Sequence, residues 1–161
     1  MKKGFTLIEL MMVVAIISLL AVSVFVALNP SKRLKDTKDA RRTSDVDTVL
    51  TAIHQYIVDN KGALPAGLST SMAITMIGAP PGNNVCNVTP GTYCGTVPAQ
   101  CVDLTTPLAT YLKSLPIDPN GSTGSPAYTS SKTGYAVTVD ANNIITITAC
   151  NAENNPVSES R

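Results

Sequence analysis

The sequence predicts an α+β fold, with one long N-terminal α-helix packed on a small C-terminal antiparallel β-sheet. The first half of the helix has membrane character and the second half is amphipathic. Three observations predict it. After Glu9, nineteen residues from Leu10 to Leu28 carry no formal charge. Val46, Val49, Leu50, Ile53 and Ile57 then recur at three and four residues, which draws one apolar stripe along a helix. Tyr135 to Val139 and Ile145 to Ala149 alternate with period two, and Asp140 to Asn143 between them supply turn residues.

Taken in order, residues 5–30 form the membrane-type helix. From Phe5 to Leu28 it would be about 36 Å long at 1.5 Å per residue, enough to cross roughly 30 Å of hydrocarbon with some tilt. Asn29-Pro30 predicts a kink, because proline lacks a backbone donor and disfavours helix in the residue before it. Residues 31–60 form the amphipathic half, ending near Asn60, where Gly62 suits a left-handed cap and Pro65 follows. Residues 61–161 form the head. Gly62 to Leu112 carries one charge, Asp103, and reads as loop with a short helix at Ser71 to Ile77. A second short helix is expected from Thr105 to Ser114, with Leu104, Leu108, Tyr111, Leu112 and Leu115 as its apolar set. A strand near Ala127 to Ser130 would complete a three-stranded sheet covering Val46, Leu50, Ile53 and Ile57, and the polar tail from Ala152 to Arg161 reads as frayed.

Glu9 carries the functional signal. A carboxylate in hydrocarbon costs about 3 kcal/mol at the bilayer centre by insertion scales, so it marks a pairing with a cation. Lys2-Lys3-Gly4, then Phe5-Thr6-Leu7-Ile8-Glu9, then an unbroken apolar helix, resembles the class III signal of type IV pilins and type II secretion pseudopilins. The resemblance implies residues 1–4 as a leader, with Lys2 and Lys3 held in the cytoplasm. It implies a membrane-embedded peptidase that cuts after Gly4 and methylates Phe5, and a Glu9 that pairs with the N-terminal amine of a neighbouring subunit. The geometry is independently sound, since cutting after Gly4 creates a cation four residues from Glu9 on the same helix. A secretory signal peptide would share the basic start, with Ala21-Val22-Ser23 as a cleavage site, but a charge inside its apolar region argues against it.

The resemblance also implies the pilin-like layout and a function: a structural subunit of an extracellular type IV pilus-like filament. Tyr111 to Pro119 is similar to the major pseudopilin branch and to related Gram-positive-like or minimal pilus systems; a pseudopilin of a type II secretion system is the alternative, with a membrane-tethered binding module as a third reading. The implied partners are other copies of the chain, the prepilin peptidase, an assembly ATPase and a platform protein. The implied location is a single-pass precursor in the cytoplasmic membrane with the head outside, and a filament after assembly. Charge asymmetry points the other way. Lys2 and Lys3 precede the span, whereas Lys32, Arg33, Lys35, Lys38, Arg41 and Arg42 follow it, which by the positive-inside rule places the head in the cytoplasm. The peptidase motif and the cysteines outweigh that count.

A net charge of +1 over 161 residues gives no global attraction to nucleic acid. The basic run from Lys32 to Arg42 reads as a solvated collar, supported by Lys32 with Asp36 and Lys35 with Asp39, or as a contact for anionic lipid. Few aromatics interleave with it, so it lacks the stacking platform of a single-strand binder. Cys86, Cys94, Cys101 and Cys150 predict two disulfides in an oxidising compartment. Of three connectivities, we expect Cys86 with Cys94 and Cys101 with Cys150. None is spaced CxxC, so no zinc or redox site is expected. Calcium, which the pseudopilin resemblance raises, would have to use Asp118, Asn120, Asp140, Asn142 and Asn143, a set with few carboxylates, so no cofactor is expected. His54 lies beside Ile53 on the helix and reads as a packing residue, and no catalytic motif is present, so no enzyme activity is expected. Asn87-Val88-Thr89 and Asn120-Gly121-Ser122 are formal glycosylation sequons.

Overall fold

The structure, a computed structural model, describes residues 4–79, 86, 94, 101–124, 127–154 and 156–161; Lys2, Lys3 and the sequon at Asn87 lie outside them. The chain divides into two compact units, Met1–Asp36 and Thr37–Arg161. In the first, α1 (Leu7–Leu28) buries none of its residues. It ends at Asn29, which adopts a left-handed conformation with φ 40° and ψ 73°. Pro30 opens α2 (Pro30–Asp59), where its missing N–H leaves no bond unmade. The Asn29 carbonyl accepts from the N–H groups of Lys32 and Arg33, so one residue closes α1 and opens α2. The interruption expected at Asn29-Pro30 is therefore present.

At its other end α2 stops as expected. The Gly62 N–H reaches the Ile57 carbonyl at 2.8 Å and the Lys61 N–H reaches Val58 at 3.4 Å, the paired bonds of a Schellman cap. Both Lys61 and Gly62 have positive φ, so the left-handed turn begins one residue before the glycine.

In the second unit, Val46, Val49, Leu50, Ala52 and Ile53 of α2 share one core with a five-stranded sheet. The strands are β1 (Met72–Ile77), β2 (Cys101–Val102), β3 (Tyr135–Val139), β4 (Ile145–Ala149) and β5 (Val157–Ser160), in spatial order β2-β1-β3-β4-β5. All pairs are antiparallel except β1 with β2. On β4, Ile145, Ile147 and Ala149 are buried in the α2 core, whereas Thr146 and Thr148 are half-buried. The β3–β4 hairpin turns at Asp140 to Asn143 as its residues predict, with Asn143 at φ 63°.

The structure corrects several expectations. Met72–Ile77 is strand, not helix: six apolar-rich residues fit either period, and only the neighbouring β3 decides between them. It supplies the place expected of Ala127 to Ser130, where a single bridge between Thr129 and Lys132 forms instead. Residues 105–111 form turns and not a continuous helix, although Leu104 and Leu108 are buried in the core as anticipated. Nor is the tail wholly frayed. Val157–Ser160 pairs with β4, and the Arg161 N–H and carbonyl bond reciprocally with Ile145. An edge strand needs one inward apolar residue, here Val157, so its sequence reads as polar tail.

The disulfides join Cys86 to Cys101 and Cys94 to Cys150, not the expected pairs. Sheet order is the reason. Alternation turns Val102 toward the α2 core, while Cys101 packs with Met76 and Cys86 in a second cluster, joined by Cys150. Cys101 lies on β2 and Cys150 follows β4, with β1 and β3 between. Three strand spacings amount to about 14 Å, twice the roughly 7 Å that a disulfide spans between Cα atoms. Each cysteine therefore takes a partner from the connection between β1 and β2. By loop-closure entropy the bond across 56 residues stabilises by about 4 kcal/mol and that across 15 by about 3 kcal/mol. Replacing Cys94 and Cys150 with serine should accordingly lower the denaturation midpoint more than replacing Cys86 and Cys101, and a non-reduced peptide map should recover the 86–101 link.

Candidate assembly site

The N-terminal unit presents a bare apolar cylinder. Its 22 helical residues span about 33 Å. Phe5, Leu7, Leu19 and Val26 are among more than a dozen exposed large apolar residues, the first at 86 %. In water such a helix would be unstable, because an apolar surface on every side has to be covered by lipid or by other helices. It is long and apolar enough to cross a membrane.

Its start is organised by Thr6 and Glu9. Thr6 is the N-cap: its hydroxyl accepts from the Glu9 N–H at 3.3 Å, and Glu9 Oε2 accepts from the Thr6 N–H at 2.9 Å and the Thr6 hydroxyl at 2.7 Å. This reciprocal capping box is the outcome expected of Thr-x-x-Glu at a helix start. Thr6 was legible as a cap in that spacing but has no role in the family motif as read above. Gly4 precedes the helix with open space where a side chain would stand, and Phe5 is exposed, so the peptide bond between them is accessible. Cutting there would put the new amine one residue before the cap that holds Glu9.

The second unit contains a buried ionic clasp that the sequence did not reveal. Arg42 is fully buried, not part of a solvated collar. Its Nε and Nη2 donate to the two oxygens of Asp118 at 2.7 and 3.0 Å, and Nη1 donates to Asp39 at 2.8 Å. Asp39 also accepts the N–H groups of Glu153 and Asn154. Lys38 donates to Asn120 and lies 3.5 Å from Glu153. Burial pushes against the charge on Arg42, but the Asp118 and Asp39 bonds outweigh it and hold the guanidinium above its ordinary value. Burial likewise pushes Asp39 up, and the Glu153 N–H, Arg42 and Asn154 N–H together hold it below the usual carboxylate range.

Close packing sets the clasp. Gly134 has φ +87°, and a Cβ there would lie 2.8 Å from the Asp118 Cβ and 2.9 Å from the Tyr128 ring, so only glycine lets the 118 loop approach β3. Near it, the Tyr135 hydroxyl donates to Asp45 at 2.6 Å, and burial followed by that bond pushes the phenol up.

Other candidate residues divide. Asp140 binds the N–H groups of Asn142 and Ile144 in the hairpin turn, and Asn143 accepts from Thr70, so these oxygens serve local structure while Asp118 is taken by Arg42. Asn120 of the second sequon is half-buried and its side-chain Oδ1 accepts from Lys38 Nζ at 3.0 Å. His54 is half-buried on α2, and its Nε2 has no hydrogen-bond partner among the described residues.

Comparison with curated proteins and with solved structures finds no match to this chain. A family model does match: residues 1–25 fit the prokaryotic N-terminal methylation motif. With Gly4, Phe5 and Glu9 at the head of a bare apolar helix, this chain carries the class III signal of type IV pilins and pseudopilins.

Proposed function

We propose that this protein is a pilin, a structural subunit of an extracellular type IV pilus-like filament. The observation that carries the reading is α1: an apolar surface on every side, a class III signal, and Glu9 as its single charge. The precursor sits in the cytoplasmic membrane with its head outside. The peptidase removes residues 1–4, and an assembly ATPase working through a platform protein transfers each apolar helix from lipid to the filament core. There Glu9 neutralises the Phe5 amine of a neighbour. Such contacts are heterologous, so repetition yields an open helix. The two disulfides and the Arg42 clasp supply the head's cross-links.

Intact mass and N-terminal sequencing of the protein from its host test the reading. The expected product lacks four residues, starts at methylated Phe5 and counts 157 residues, that is 161 minus 4. A retained Met1, or cleavage near Ser23, would overturn it. The same class III signal is shared by pseudopilins, so a secretion pseudopilus is the second reading. Loss of secreted enzymes on deletion, with surface filaments unaffected, would select that reading.

A further inference from the structure

The apolar helix ends at Leu28, and within seven residues the same unit exposes Lys32, Arg33 and Lys35. At 1.5 Å per residue these bases lie within about 10 Å of that end, measured along the helix. Asp36 is the one acid in residues 29–36, so three bases against one acid leave +2 there. Arg33 is turned back toward α1: its Nε donates to the Leu28 carbonyl at 3.0 Å. That bond places a guanidinium level with the last turn of the apolar surface, where hydrocarbon gives way to headgroups if α1 spans a bilayer. Arginine suits such a position because a guanidinium matches the geometry of phosphate oxygens.

We propose that Lys32, Arg33 and Lys35 form a binding surface for the phosphodiester headgroups of anionic lipid in the leaflet nearest the head. The inference rests on α1 spanning the membrane before assembly. Continuity with the apolar helix selects lipid over nucleic acid as the occupant, because α1 delivers these bases to the depth of the headgroup phosphates. The surface steadies the precursor at the interface, and its contacts must break when the helix is drawn into a filament, so lipid charge sets the ease of extraction.

The chain has no tryptophan, so Phe25→Trp, in the last turn of α1, gives a single fluorescent reporter. The full-length chain carrying it is reconstituted in vesicles of phosphatidylcholine and phosphatidylglycerol, with one or the other lipid brominated as quencher. The expected result is at least about five-fold preference for phosphatidylglycerol, the factor for one base at an anionic surface. The preference should fall to about one in Lys32→Gln/Arg33→Gln/Lys35→Gln and in 1 M salt, where the Debye length is about 3 Å. A ratio near one in the parent, or a preference that survives the triple substitution, overturns the proposal. So does a ratio near one accompanied by duplex DNA retention that needs the same three residues, which would give the surface to nucleic acid. Absence of quenching by either lipid would instead remove the spanning reading beneath it.

Discussion

Asp118→Ala should destabilise the head by about 3–5 kcal/mol, the cost of leaving a buried guanidinium without its main partner. Arg42 has no exposed surface through which water could replace the two bonds from Asp118, and Asp39 bonds only one of its nitrogens. With a urea dependence of about 1.5 kcal/mol per molar, the unfolding midpoint of the full chain in detergent should drop by about 2 M or more. Arg42→Met combined with Asp118→Leu should recover much of that loss, since an apolar pair removes the desolvation cost along with the attraction. If Asp118→Ala shifts the midpoint by less than about 0.5 M, the clasp has no role in stability. Acid should act on the same network. Asp39 is held below its ordinary value, so its contribution is complete above the unfolded value near 4 and is lost as pH falls through the folded value. Chelator should leave the midpoint unchanged, because Arg42 supplies the positive charge at Asp118.

Glu9→Gln should leave the precursor inserted and cleaved at Gly4 yet reduce sheared filament yield by more than tenfold. An ammonium on Phe5 packed among apolar helices loses its counter-charge, a loss of about 3–5 kcal/mol per subunit, where about 1.4 kcal/mol is already tenfold. Every subunit repeats the contact, so the defect compounds along the polymer. The substituted amide keeps one oxygen, and a single oxygen accepts both Thr6 bonds in the cap, which separates failed assembly from a frayed helix start. Measuring membrane-resistant precursor beside sheared filament distinguishes the two steps. Normal filaments from Glu9→Gln would remove the Glu9–Phe5 pairing from assembly.

How much was legible in the sequence depends on the range over which each feature is decided. Gly4, Phe5 and Glu9 fall within six residues of one another, and their spacing along the chain is the signal itself. The stripe from Val46 to Ile53 and the alternation on β3 and β4 were equally readable, because burial imposes the periods 3.6 and 2 directly on the residues. The break at Asn29 followed from the covalent structure of Pro30.

Tertiary structure alone decided the rest. Met72–Ile77 has no period that separates helix from strand until β3 offers it backbone partners. Val157–Ser160 is a strand because β4 had an open edge. Cys86 pairs with Cys101 because strand order puts Cys150 out of reach of β2. Arg42 and Asp118 are 76 residues apart, and in the sequence the one belongs to a basic run and the other to a turn. Local rules act on neighbours along the chain and can be read there, whereas pairing across a sheet or through a core depends on distances that exist only once the chain has folded.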